Sequence, residues 1–250
     1  MHEIPRDLEK QYYAVLQDIA RQQGVPTVSV VVLPSLLESS TLWRLHPARV
    51  WFISGMSGSG KSTIIQTLSH AGYDRLVNVI TRSKRAEEKE TDNLFTDDAK
   101  FFEWQSKGLL FQPHKTNGVW HAILKTDIQK ALDRRHRLYT DKSIRSTLEI
   151  IKEFPSLTDS NFLYILPPSF EVLYKRLTNR EKRQDGKSLT EQEIRDRIQE
   201  EITDMERSVQ LKYVYLLNDA REQVQAVLKN ILLQNSEFEP YLKSGSNIIH

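Results

Sequence analysis

The chemistry most plainly written in this chain lies in residues 55–63, Gly55-Met56-Ser57-Gly58-Ser59-Gly60-Lys61-Ser62-Thr63. A glycine, four residues, then Gly-Lys-Ser is the P-loop pattern without a mismatch. The glycines allow successive backbone N–H groups to turn toward a phosphate, and the helix that follows offers its N-terminus to the same charge. Lys61 adds a mobile ammonium, and the Ser62 hydroxyl can hold Mg²⁺. Gly55, Ser57, Gly58, Ser59, Gly60, Lys61, Ser62 and Thr63 are therefore expected to bind a nucleoside triphosphate, with ATP and Mg²⁺ as cofactors. A Gly/Ser turn can match by accident, so the flanks matter. Val50-Trp51-Phe52-Ile53 before the loop reads as a strand, and Ile64-Ile65-Gln66-Thr67-Leu68 after it begins a helix.

The elements that must position this loop alternate along the chain. Leu8, Tyr12, Leu16, Ile19 and Ala20 at helical spacing predict an amphipathic helix ending at about Gln23, before Gly24 and Pro26. Val28 to Leu33 reads as a strand, and Pro34 to Leu45 as a loop or short helix. After the P-loop helix, Leu76 to Ile80 is an apolar strand delivering Arg82 and Arg85 into a loop. Phe95 to Phe102 looks like a capped helix start, Gly108 to Gln112 a strand, and Asn117-Gly118 a hairpin turn. A helix around Asp127 to Arg135 leads into Arg137-Leu138-Tyr139-Thr140-Asp141. Further on come a strand at Phe162 to Leu166, a helix at Phe170 to Leu177, a long helix from Thr190 to about Val209, a strand at Tyr213 to Leu217 and a final helix. Strands separated by helices imply an α/β fold, a mostly parallel sheet with helices on both faces.

Composition narrows the partners. At 250 residues, 39% hydrophobic and 27% charged, the chain reads as a globular protein of one large domain with an appendage or two small ones. A formal charge of +2 demands neither nucleic acid nor an anionic membrane. With no cysteine, disulfides, thiol catalysis and Cys-based zinc sites are excluded. The first residues lack the apolar core of a signal peptide, and no apolar run reaches the roughly 20 residues of a membrane helix; a cytoplasmic protein is expected.

The order of these pieces resembles the guanylate kinase family from about Arg49 to Leu233. The similarity is carried by the P-loop, Thr81-Arg82-Ser83-Lys84-Arg85, Ile165-Leu166-Pro167-Pro168-Ser169, Lys175-Arg176-Leu177 with Arg180, Arg195-Asp196-Arg197-Ile198, and Tyr213 to Asp219. The resemblance implies a P-loop three-layer α/β/α fold. It divides the chain into an N-terminal extension (1–48), a kinase domain (49–234) and a tail (235–250). Within the domain it implies an acceptor-binding part at about 82–125 and a lid at about 178–197. It further implies ATP-dependent phosphoryl transfer to a small-molecule phosphate acceptor, GMP, dGMP or another nucleoside monophosphate. Such transfer needs positioning and charge neutralisation more than a strong base. Arg82 and Arg85 would fork onto the acceptor phosphate, Arg176, Arg180 and Arg197 would close over the transferring group, and Asn218 would contribute at the donor site. Taken singly, each arginine also fits a solvated helix face.

The chain departs from the family where the acceptor is read. The position of the family's first guanine-reading carboxylate falls on Gln112 and the second on Ser143, and neither side chain reproduces a carboxylate's bias for guanine. A hairpin tyrosine of the family is His121 here, which could donate to a phosphate or be an ordinary surface histidine. Asp141 keeps the family's strand-end carboxylate, able to organise Mg²⁺ through water and equally able to form a turn. Two alternative functions stand beside the first. One is a kinase of a phosphorylated sugar such as ribose 1,5-bisphosphate, which the missing carboxylates and the pairs Phe101-Phe102 and Asn117-Gly118 resemble; the other is a non-catalytic protein-binding module.

Overall fold

The computed structural model describes residues 4–24, 50–84, 93–116, 118–133, 137–180 and 190–217. The chain forms a mixed α/β fold with two compact units, one made of Met1–Ala71 with Asp141–His250, the other of Gly72–Thr140.

In the first unit, strands β1 (Val50–Gly55), β8 (Asn161–Leu166) and β9 (Tyr213–Leu217) lie side by side and parallel. Their sequences are near-continuous apolar runs, as strands covered on both faces require, and every residue of β8 and β9 is buried. Phe52 stacks on its cross-strand partner Phe162 with ring centroids 5.4 Å apart. The buried Ser54 hydroxyl is satisfied by the Tyr213 hydroxyl at 2.9 Å and the Lys142 carbonyl at 2.9 Å. Such pairing offsets the cost of burying a polar group.

Helix α1 (Arg6–Gln22) buries Leu8, Tyr12, Val15, Leu16, Ile19 and Ala20, one face at helical spacing, and packs against α7 (Glu191–Glu206). Tyr12 also meets Phe170, the first residue of α6 (Phe170–Arg180), at 5.6 Å. Each of the leucine, valine and isoleucine side chains among them stabilises by about 1.5–3 kcal/mol when fully buried. Helix α7 starts at a capping box in which Thr190 and Glu193 satisfy each other's backbone N–H groups. Helix α5 (Ile144–Glu153) has no counterpart in the sequence reading. Its signal is Ser143 as N-cap followed by Ile144, Thr147 and Ile150 on the buried side. A second cap comes from far along the chain, where Asp204 of α7 accepts from the Ile144 and Arg145 amides at 2.7 and 2.9 Å.

The second unit holds a parallel pair, β2 (Asp74–Arg75) with β7 (Leu138–Asp141), whose last residue, Asp141, falls in the first unit, and a four-stranded sheet. That sheet runs in the order β4 (Asn93–Phe95), β3 (Asn78–Ile80), β6 (Val119–Leu124), β5 (Leu110–Thr116). Helix α3 (Asp98–Ser106) covers it and begins within the stretch Phe95 to Phe102 read as a capped start, with Asp97 accepting from the Lys100 amide at 2.7 Å. Val79, Phe101, Leu110 and Ala122 form the small core, bordered by Leu94, Trp104, Trp120 and Leu124. A short helix, α4 (Lys125–Leu132), follows β6. The predicted strand at Val28 to Leu33 and the final helix lie outside the described residues, as do the internal residues of the expected lid, 181–189.

Candidate active site

The P-loop follows β1 directly and ends in α2 (Lys61–His70). Gly55, Gly58 and Gly60 hold φ of 143°, 84° and 98°, left-handed backbone that favours glycine. A Cβ on Gly55 would sit 2.6 Å from the Ile165 carbonyl oxygen and 3.0 Å from Ser59 Oγ, so the loop is pressed onto β8. A Cβ on Gly58 would approach Arg176 Cβ to 3.4 Å. The loop is thus a glycine-rich cradle with no room for a side chain at Gly55.

Charge converges on this cradle from three helices of the same unit. Lys61, first residue of α2, donates Nζ–H to the carbonyls of Gly55 at 2.5 Å and Met56 at 3.0 Å. Arg176 of α6 donates Nη1–H to the Gly58 carbonyl at 2.9 Å, and Arg197 of α7 donates Nη2–H to Ser57 Oγ at 3.1 Å. Three cations and a helix N-terminus around a glycine loop can neutralise a polyphosphate, which is the main demand of phosphoryl transfer. The sequence reading missed one member. Glu201 of α7, four residues past Arg197 and hence on the same helix face, accepts from the Ser57 amide at 3.1 Å. Burial pushes the Glu201 carboxyl above its ordinary value, while Lys61, the Ser57 amide and Arg197 act the other way.

Ser62 and Thr63 lie in the first turn of α2, with Thr63 buried and its amide donating to the Gly60 carbonyl at 3.1 Å. Asp141 ends β7, and the next residue, Lys142, donates its amide to the Ile53 carbonyl at 3.1 Å. That bond ties the segment after Asp141 to the strand leading into the P-loop. A hydroxyl and a carboxylate are hard oxygen donors of the kind Mg²⁺ takes beside nucleotide phosphates, so this donor set fits the ion. Ser143 caps α5, its hydroxyl accepting from the Ser146 amide at 3.1 Å.

The other candidates belong to the second unit. Arg82 follows β3, donates Nη1–H to the Ser83 carbonyl at 2.9 Å and lies over the Phe95 ring at 5.6 Å. Just before it, Thr81 Oγ1 accepts from the Trp120 amide at 3.0 Å, fixing the end of β3 to the hairpin strand. His121 on β6 stacks against its cross-strand partner His114 at 5.5 Å, and His114 Nδ1 hydrogen-bonds the Gln112 carbonyl at 2.9 Å. Gln112 sits in a bulge between Phe111 and His114 with φ of 50°. Arg85 and Asn218 lie outside the described residues, and of Arg180 only its place at the end of α6 is described.

No protein-family model matches the chain. Among curated proteins it is 27% identical over 192 residues to a guanylate kinase of Pseudomonas fluorescens strain Pf0-1, covering 74% of this chain and 88% of that one. It is 28% identical over 197 residues to a guanylate kinase of Mycoplasma genitalium, covering 77% and 78%. The chain is a guanylate-kinase-like nucleotide kinase. Its fold is shared with the crystal structure of guanylate kinase from Anaplasma phagocytophilum, at a TM-score of 0.55 and 18% identity, over 80% of this chain and 97% of that one. In this guanylate-kinase-like chain the cradle, Lys61, Arg176 and Arg197 stand together in one unit, while Arg82, Gln112 and His121 belong to the other. Among the described residues no helix is long and apolar enough to cross a membrane.

Proposed function

We propose that the chain transfers the γ-phosphoryl group of ATP to the phosphate of a nucleoside monophosphate, with GMP or dGMP as first candidate acceptors. The observation that carries this reading is the convergence of Lys61, Arg176 and Arg197 on the glycine cradle at 3.0, 2.9 and 3.1 Å. In the nucleotide complex the loop amides from Gly58 to Ser62 hold the donor phosphates, with the Ser57 amide kept on Glu201, and Lys61 turns from the loop carbonyls to a phosphate oxygen. Arg176 and Arg197 screen the charge that builds on the transferring group. Arg180 joins them from the end of α6, and Asn218 completes the donor side. Ser62 and Asp141 would hold Mg²⁺, which would supply charge neutralisation when bound. Arg82 and Arg85 grip the acceptor phosphate as planar donors. His121 and Gln112 line the acceptor, and Ser143 does so only by giving up part of its capping role, at a cost of about 1 kcal/mol.

This reading keeps the division into extension (1–48), kinase domain (49–234) and tail (235–250), with the acceptor part at about 82–125 and the lid at about 178–197. The cysteine-free composition suits a cytoplasmic nucleotide pool. A coupled ADP-release assay over GMP, dGMP, AMP, CMP and UMP tests the proposal. Turnover of at least one acceptor, lost in Lys61→Ala, is expected. Background rates with all five would overturn it.

A further inference from the structure

We propose that Glu201 is a positioning residue for the phosphate loop: its carboxylate pins the first turn of the loop through the Ser57 amide and is the negative charge that Lys61 and Arg197 answer before a nucleotide arrives. The geometry is a two-point staple from one helix face. Glu201 accepts from the Ser57 backbone at 3.1 Å, and four residues earlier Arg197 donates to the Ser57 side chain at 3.1 Å. Ser57 is therefore held at both its N–H and its hydroxyl by α7. Lys61 is folded back onto the carbonyls of Gly55 and Met56, and its charge stabilises the ionised Glu201.

Buried carboxylates are rarely tolerated beside a site built for anions, because two like charges in a medium of low dielectric repel strongly. The groups facing Glu201 are the Ser57 amide from the loop, Lys61 on α2, Arg197 and Asp204 on α7, and the Tyr164 ring on β8. A bound triphosphate claims Lys61 and adds several negative charges. Both changes remove what keeps Glu201 ionised, on top of the burial that already pushes its carboxyl upward. The carboxylate then takes a proton from solvent, COO⁻ plus H⁺ giving COOH, and the protonated group still offers its carbonyl oxygen to the Ser57 amide. Nucleotide binding is thereby linked to proton uptake at the loop. This inference deepens the kinase reading, and its first arm does not depend on it.

Two variants and two readouts decide the matter. Glu201→Gln keeps an acceptor oxygen of the same shape without the charge, and Glu201→Ala removes both. In the nucleotide-free protein, amide hydrogen exchange at Ser57 is expected to speed up by about 10-fold or more in Glu201→Ala and by no more than about 3-fold in Glu201→Gln. Calorimetry of Mg-ATP binding in two buffers of different ionisation enthalpy is expected to show proton uptake by the wild type and none by either variant. Unchanged Ser57 exchange in Glu201→Ala overturns the pinning, and proton uptake that persists in Glu201→Gln overturns the linkage. A wild type that binds no ATP overturns the linkage and the kinase reading together, with the exchange arm still deciding the role of Glu201 in the loop.

Discussion

At the phosphate loop every left-handed backbone position falls on glycine, with φ of 143°, 84° and 98° at Gly55, Gly58 and Gly60. In the β5–β6 hairpin the same kind of backbone falls on Gln112, at φ 50°, inside a bulge. The loop's conformation is set by its glycines, which turn successive amides to one side as any nucleoside triphosphate would require. The bulge has no such universal partner. It holds a side chain of full size in backbone that costs about 1–2 kcal/mol for an ordinary residue. Strain of this kind clusters at sites of function, and the proposal above places acceptor recognition at this residue. On the proposed reading, donor binding combines a glycine backbone with the side chains of Lys61, Arg176 and Arg197, whereas acceptor recognition rests on a few hairpin side chains and changes with them.

This contrast can be broken at its strong end first. Lys61→Ala is expected to lower turnover by on the order of 10²–10³-fold with the melting temperature little changed, as loss of a preorganised charge does. Steady-state kinetics beside a thermal melt checks both halves. Next comes Gly55→Ala, where a Cβ would lie 2.6 Å from the Ile165 carbonyl oxygen in backbone at φ 143°. A stability loss of roughly 2 kcal/mol or more is expected in denaturant titration. An unperturbed midpoint would mean that the loop is not pressed onto β8 as described.

At the hairpin the expected effects are smaller and turn on the ligand. Gln112→Glu supplies the carboxylate that guanine reads, and kcat/KM for GMP relative to AMP is expected to rise by about 10-fold. A fall for both acceptors would place base reading elsewhere. The smallest effect concerns pH. Because the folded-state value of Glu201 is raised by burial, its contribution to stability is fully present below the ordinary value of 4.5 and is lost as pH rises through the raised one. The melting-temperature difference between Glu201→Gln and the wild type is therefore expected to grow in favour of the variant from acid to neutral pH. A difference that stays flat across that range would show that Glu201 ionises as easily folded as unfolded.

Much of the chain was legible because local patterns and tertiary demands agree. Helix α1 was read from Leu8 to about Gln23 and runs from Arg6 to Gln22, since one apolar stripe serves both helix periodicity and packing on α7. A capped helix start within Phe95 to Phe102 and a helix from Thr190 were readable because a cap is a local hydrogen bond, and the structure places the caps on Asp97 and Thr190. Helix α5 was missed, although Ser143 and the spacing of Ile144, Thr147 and Ile150 announce it. The family alignment points to Ser143 as an acceptor-reading position, and the same hydroxyl caps the helix. Strand β4, only Asn93–Phe95, follows an acidic run and carries no alternation long enough to detect.

What the sequence by itself determined is the conformation of the glycine loop. It spans nine consecutive residues, 55–63, and conformation at that range is set by residue type and spacing. What only the tertiary structure decided is which charges answer that loop. Arg176, Arg197 and Glu201 lie more than a hundred residues away from Gly58 and Ser57, and helices α6 and α7 bring them within 2.9, 3.1 and 3.1 Å. A carboxylate beside a phosphate site is not implied by any motif. It follows from a helix face that also carries Arg197, packed where burial, Lys61 and the Ser57 amide meet.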